Sequence, residues 1–126
     1  MESDLEFGKC LDIILSILQI SYSRLSRAIS VDPSLISRWI NGQRIPPYDS
    51  DYIERIAEYI CSNIKNSFQE RKLRDFVYAH CSIHQAKDFT ENVKTLLLEA
   101  QGRSLEIRES RKSRKSLSSH YEVIKN

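Results

Sequence analysis

Residues 21–42, SYSRLSRAISVDPSLISRWING, contain two signals that start a helix and one that ends it. Ser21 offers a hydroxyl that can accept from the first backbone N–H groups of a helix. Asp32 followed by Pro33 is the second start, since the carboxylate caps and proline tolerates the first helical position. Gly42 stands where a left-handed residue ends a helix most easily. We therefore predict two short helices joined by a turn.

The apolar residues of this stretch follow helical spacing. Leu25 and Ile29 lie four positions apart in the first predicted helix. In the second, predicted over residues 33–41, the apolar stripe consists of Ile36, Trp39 and Ile40. Burial of this stripe leaves a polar and basic face outside. The residues on or beside that face are Pro33, Ser34, Ser37, Arg38, Asn41, Gln43 and Arg44.

The whole stretch resembles the helix-turn-helix of the phage-repressor (Cro and C1) family. ISRW at residues 36–39, followed by NG at 41–42 and PP at 46–47, is similar to the usual ending of that motif. In that family the second helix enters the major groove of DNA. The resemblance implies an all-α, lambda-repressor-like DNA-binding domain. It also implies a sequence-specific transcription regulator, of the repressor kind, that binds double-stranded DNA as a homodimer.

The resemblance, carried over position by position, assigns DNA contacts to individual residues. Base edges would be read by Pro33, Ser34, Ser37 and Arg38. Phosphates would be contacted by Ser21, Tyr22, Asn41, Gln43 and Arg44. Arg38 is the strongest base reader, because a guanidinium bridges guanine O6 and N7 and disfavours the wrong base by about 1 to 3 kcal/mol. The hydroxyls of Ser34 and Ser37 can hydrogen-bond to several bases and therefore discriminate weakly between them.

Three positions depart from the family pattern. Tyr22 stands where glutamine is frequent, so an amide contact to phosphate becomes a phenol contact or is lost. Ser30 stands where glycine is common in the turn, and a positive φ there would cost about 1 kcal/mol. Ile40 replaces a residue that is often charged, which suggests that it meets the C-terminal hairpin described below.

The rest of the first half supplies a scaffold for this stretch. Three Gly and three Pro among 126 residues favour helices over strands. We predict a first helix over about residues 4–20 and a fourth over about residues 52–64, both with apolar residues at helical spacing. Residues 1–65 would then form the helix-turn-helix DNA-binding domain, one helix short of the five usual in the resembled family.

The second half divides into two regions. Residues 66–102 predict an αα-hairpin, with a second helix that starts at a capping box from Ser82 and ends at Gly102. Its first helix either packs onto the core or begins a separate unit. The apolar faces of the hairpin meet the core or a second subunit, and dimerisation is the role we prefer for it. Residues 103–126 are basic and rich in serine, which suits a solvent-exposed helix that frays into a tail or linker, and residues 121–125 look like the start of a strand. The tail either touches the DNA backbone or is merely a tether.

Charge is distributed unevenly along the chain. Residues 1–63 contain six Lys or Arg and nine Asp or Glu, whereas residues 64–126 contain thirteen and eight. Four of the first six bases are Arg24, Arg27, Arg38 and Arg44, and Asp32 is the one acid among them. A locally basic face on an acidic domain suits DNA binding, because attraction to phosphate depends on the local field.

Several classes of function are disfavoured by the sequence. The sequence contains neither a glycine-rich phosphate loop nor paired carboxylates in an apolar setting. It therefore does not suggest an enzyme or a bound cofactor. His80, Cys81 and His84 lack a fourth metal ligand at convincing spacing. No apolar run approaches the roughly 20 residues of a membrane helix, and the acidic N-terminus is unlike a secretory signal. We expect a cytoplasmic protein without a disulfide framework, since its three cysteines are widely spaced.

One function of another class remains open. A protein-interaction module can keep the helix-turn-helix shape without gripping DNA, and an antitoxin that caps a toxin combines both activities. Residues 66–102 would then bind the protein partner.

Overall fold

The computed structural model describes residues 4–81 and 88–125, with side chains described as far as residue 112. α-Helices follow one another along the chain, and no β-strand occurs within these ranges. Their bounds are α1 Phe7–Leu18, α2 Tyr22–Ala28, α3 Pro33–Ile40, α4 Tyr52–Ser62, α5 Ser67–His80 and α6 Phe89–Lys125. The prediction of an all-α fold is confirmed.

One hydrophobic core joins the helices, with α1 in contact with α3, α4, α5 and α6. Leu11, Ile14 and Leu18 of α1 are fully buried. Each other helix contributes at least one side chain with no exposed surface: Leu25, Ile36, Ile56, Leu73 and Leu96 from α2 to α6 in order. Burial of this many large apolar groups is the main favourable contribution to folding.

The scaffold helices are shorter than predicted. α1 begins at Phe7 and ends at Leu18, where Gln19 takes a left-handed conformation with φ of 55°. α4 ends at Ser62, two residues before the predicted limit. Both differences lie at helix ends, where capping rather than apolar spacing sets the boundary.

α5 joins the same hydrophobic core as the first four helices. Asn66 caps it by accepting a 2.8 Å hydrogen bond from the Gln69 backbone N–H. Leu73 and Val77 are fully buried in the common core, and α5 packs against α1. Of the two arrangements left open by the sequence, the structure therefore contains the one in which this helix packs onto the core.

The last helix, α6, differs most from expectation. It runs without a break through Gly102 to Lys125, so the predicted helix end at Gly102 and the predicted strand at residues 121–125 are wrong. Val93, Leu97 and Ala100 of α6 are fully buried, and the helix packs against α4 and α1. The capping box predicted from Ser82 lies outside the described residues. A continuous helix thus replaces the expected hairpin end, and it includes the residues that were expected to form a separate, fraying helix.

Candidate nucleic-acid interface

The first helix of the candidate interface, α2, begins as the sequence predicts. The Ser21 hydroxyl oxygen accepts a 3.1 Å hydrogen bond from the Arg24 backbone N–H. The Arg24 guanidinium points toward the end of α4, where it donates a 3.5 Å hydrogen bond to the Asn63 amide oxygen. Arg24 therefore links α2 to α4, while the neighbouring Arg27 is exposed.

The turn between α2 and α3 contains a strained residue. Ser30 has a φ of 59°, in the left-handed region that glycine occupies without a steric penalty. The next residue closes the turn, since the Val31 N–H donates a 2.9 Å hydrogen bond to the Ser26 carbonyl oxygen. The condition for strain predicted at Ser30 is therefore met.

α3 carries a cap at each end. At its start, the Asp32 carboxylate accepts a 2.8 Å hydrogen bond from the Ser34 backbone N–H, and this bond lowers the pKa of Asp32 below its ordinary value. At its end, Gly42 has a φ of 75°. The Gly42 N–H donates a hydrogen bond to the Trp39 carbonyl oxygen, and the Gln43 N–H donates a 2.9 Å bond to the Arg38 carbonyl oxygen. These two bonds form a Schellman motif, so α3 begins and ends at residues that the sequence identified.

The inner face of α3 is held by aromatic and backbone contacts. The Trp39 ring meets Phe7 edge to face with 6.1 Å between centroids, and lies 5.2 Å from Tyr52. Gly8 of α1 lies directly against the end of α3, where a Cβ would lie 2.5 Å from the Ile40 carbonyl oxygen. α1 therefore fixes the position of α3 through a glycine that leaves no room for a side chain.

The outer face of α3 presents the four residues assigned to base reading. Pro33, Ser34 and Arg38 are exposed, and Ser37 is half-buried. Ile40 is half-buried on a different side, where it lines a cleft together with Ile107 of α6. Ile107 lies on the C-terminal helix but beyond residues 66–102, so a contact of Ile40 with the predicted hairpin stays a prediction.

The residues assigned to phosphate contacts fall into two groups. Asn41, Gln43 and Arg44 are exposed where the chain leaves α3. At the start of α2, Ser21 is exposed, but the Tyr22 hydroxyl donates a 2.7 Å hydrogen bond to the Asp12 carboxylate. This bond raises the pKa of Tyr22. A phosphate at Tyr22 would have to replace a carboxylate as the acceptor of the phenol proton.

Sequence reasoning missed the part that α6 plays beside this face. Two of its side chains reach the start of α1: Arg103 donates a 2.7 Å hydrogen bond to the Leu5 carbonyl oxygen, and the Ser104 hydroxyl accepts a 2.9 Å bond from the Phe7 N–H. Two others reach the segment after α3: Gln101 donates to the Pro46 carbonyl oxygen at 2.7 Å, and Arg108 donates to those of Gly42 at 3.2 Å and Gln43 at 2.9 Å. Four positions after Leu97 and Ala100 come Gln101 and Ser104, which are also buried. This helical spacing was the signal in the sequence that α6 continues past Gly102.

Metal and membrane chemistry find no support in the described part of the chain. Within it, no group of three or more His, Cys, Asp or Glu is placed to hold a metal ion, and His84 falls outside it. Nor does any helix in the described ranges combine the length and apolar character needed to cross a bilayer. Comparison with protein-family models, with curated proteins and with solved structures finds no match to this chain.

Proposed function

We propose that the protein is a sequence-specific DNA-binding transcription regulator of the repressor kind, with a lambda-repressor-like helix-turn-helix in which α3 enters the major groove. The observation that carries this proposal is the construction of α3. Caps at Asp32 and Gly42 fix its ends, Trp39 and Ile36 fix its inner face, and its outer face remains polar and accessible. A short helix fixed on one side and open on the other suits insertion into a groove.

The exposed side chains of α3 give the proposal its chemistry. Arg38 bridges guanine O6 and N7 through two of its N–H groups. Ser34 and Ser37 hydrogen-bond to base edges with weak preference, and Pro33 adds an apolar contact at the N-terminal end. With a single strong base reader, specificity depends on paired copies of the protein and on DNA shape.

Backbone contacts on the two sides of α3 position it in the groove. Asn41, Gln43 and Arg44 contact phosphates on one side, and Ser21 contacts them on the other. Tyr22 joins them only if phosphate displaces Asp12 from its hydroxyl. The start of α2 is therefore the weaker of the two phosphate sites.

The proposed assembly on DNA is a homodimer, in keeping with paired half-sites. Two apolar side chains within residues 66–102 support a self-contact, since Phe68 is 66% exposed and Leu98 is 41% exposed. A mass measurement in solution for wild type and for Phe68→Ser with Leu98→Ser tests this. We expect the wild-type protein to be a dimer and the double variant to be a monomer. A wild-type protein that is monomeric both free in solution and bound to DNA would rule the dimer out.

A second function is favoured by one observation. The Asp12 carboxylate beside Tyr22 repels phosphate at a position where a helix-turn-helix normally attracts it. A protein partner, as an antitoxin has in its toxin, would not be repelled. The alternative is therefore a protein-interaction module that uses the same helices.

A binding titration separates the two functions. Fluorescence anisotropy on fragments of genomic DNA, at several salt concentrations, is measured for wild type, Arg38→Ala and Arg44→Ala. We expect salt-sensitive binding that each substitution weakens, by about tenfold for Arg38→Ala on the preferred fragment. Absence of salt-sensitive binding, or binding that neither substitution changes, would favour the protein-interaction module.

A further inference from the structure

A cleft of about 270 Å³ opens where the N-terminal end of α1, the C-terminal end of α3 and the middle of α6 meet. Phe7, Trp39 and Ile107 contribute to its apolar lining. Among the described residues that line the cleft, Glu6 is the one acid. The basic residues in its lining come from three separate segments: Lys9, Arg44, Arg108 and Arg111.

These four cations, which we call the cleft cations, are exposed and are not neutralised by ion pairs within the described residues. The salt bridges found there join Arg55 to Asp51 and Arg74 to Glu70, at other places in the fold. Of the four, Arg108 makes side-chain hydrogen bonds within the described part of the protein. One of its guanidinium nitrogens donates to the carbonyl oxygens of Gly42 and Gln43. Like charges gathered in a cleft raise the local positive potential, which attracts an anion.

We propose that this cleft binds a phosphate of the DNA backbone, so that α1 and α6 take part in DNA binding beside the helix-turn-helix. The inference rests on the proposed function, because DNA is its ligand. Two features favour a DNA phosphate as the occupant. Asn41 and Gly42 line the cleft, so α3 leads directly into it, and Arg44 belongs both to the cleft and to the phosphate contacts proposed for α3.

The chemistry of the cleft cations sets what this contact contributes. Arg44 and Arg111 can each present two parallel N–H groups to phosphate oxygens, whereas Lys9 acts as a point charge. Phosphates are the same at every base step, so the cleft adds affinity and fixes the orientation of the protein without reading sequence. Its loss should weaken binding to all sequences by the same factor.

The test uses the double variant Lys9→Gln with Arg111→Gln. Neither side chain makes a hydrogen bond to the α3 exit, where Arg108 does, so thermal unfolding should remain as in wild type. Binding to a random-sequence DNA duplex of about 30 base pairs is measured by anisotropy as salt rises from about 50 to about 200 mM. We expect the slope of log K against log salt to become less negative by about 1 to 2. Each lost phosphate contact changes this slope by about 0.9.

A matched control makes the same change of charge elsewhere. Lys65→Gln with Arg71→Gln removes two exposed cations from the α5 region, which does not line the cleft, and should leave the salt dependence close to wild type. The inference is overturned if the cleft variant keeps the wild-type salt dependence, or if the control loses as much.

Its failure is distinguishable from failure of the proposed function. Selection from a random DNA pool reports sequence specificity, which depends on α3 and not on the cleft. If a motif is selected but the cleft variant keeps the wild-type salt dependence, the phosphate site in the cleft is ruled out and the proposed function stands. A shallower salt dependence without a selected motif would support the cleft and remove sequence-specific regulation. No DNA binding at all would remove both.

Discussion

The Arg108 guanidinium donates a 2.9 Å hydrogen bond to the Gln43 carbonyl oxygen, and so joins two positions 65 residues apart in the chain. The same nitrogen donates to the carbonyl oxygen of Gly42, which ends α3. A cation at this place also faces the negative end of the α3 helix dipole. A basic residue of the last helix therefore fixes the direction in which the chain leaves the proposed reading helix.

Removal of residues 103–126 should destabilise the protein by about 3 kcal/mol or more. The deletion removes Arg108, and it removes Ser104, which leaves the buried Phe7 backbone N–H without its acceptor. Removal of residues 113–126 alone keeps both contacts and should destabilise the protein less. Urea unfolding of the two truncated chains measures the difference, and equal midpoints would show that residues 103–112 do not hold the fold.

Two helical glycines should respond to alanine in opposite directions. Gly8→Ala places a Cβ against the carbonyl oxygens of Trp39 and Ile40, which are backbone atoms and cannot move aside, so we expect a loss of about 3 kcal/mol. Gly102→Ala meets the Tyr48 hydroxyl at an ordinary 3.5 Å and should gain about 0.5 to 1 kcal/mol through helix propensity. Thermal and urea unfolding report both. Stabilisation by Gly8→Ala would contradict the close approach of α1 to α3.

Glycine at the turn should stabilise the protein. Ser30→Gly relieves the left-handed conformation with φ of 59°, and we expect a gain of about 0.5 to 1 kcal/mol in the free energy of unfolding. Ser23→Gly is the control, since this exposed residue lies inside α2 and its substitution should cost about 0.5 to 1 kcal/mol. If both substitutions destabilise equally, the turn is not strained.

The Cys10 thiol should make stability fall in alkaline solution. Burial raises the pKa of Cys10 from 9.0 to about 12, which favours the neutral thiol in the folded state. Between these values the unfolded chain releases the thiol proton and the folded chain keeps it, so stability is complete below pH 9 and falls as pH rises toward 12. Cys10→Ala should flatten this fall by up to about 1.4 kcal/mol per pH unit. Urea unfolding between pH 8 and pH 11 gives the two slopes, and identical slopes would contradict burial of the thiol.

Local chemistry explains which parts of this structure were predictable. The caps at Ser21, Asp32 and Gly42 act on neighbours within a few residues, so the sequence alone locates α2 and α3. The predictions of DNA contact at Arg38 and the other assigned residues stay predictions. Tyr22 shows the limit, because its hydrogen-bond partner Asp12 lies on another helix and no pattern within α2 indicates it.

Long-range contacts explain what could not be predicted. A glycine inside a helix costs only about 1 kcal/mol, and contacts on either side of Gly102 offset that cost. Those contacts include Ser104 with Phe7 and Arg103 with Leu5, pairs separated by 97 and 98 positions. Such pairing follows from the packing of α6 on the core. Considered locally, the basic composition of residues 103–112 therefore suggested a solvent-exposed helix that frays into a tail.

Selection of double-stranded DNA from a random pool, with wild type and Arg38→Ala in parallel, tests whether α3 reads the base sequence. If α3 reads base edges, wild type enriches a common motif that contains a guanine, and Arg38→Ala loses the preference at that guanine while the other positions persist. Ser67→Ala, at the start of α5, should select the wild-type motif. A pool without a motif, or a motif that Arg38→Ala leaves unchanged, would contradict the assignment of α3 as the reading helix.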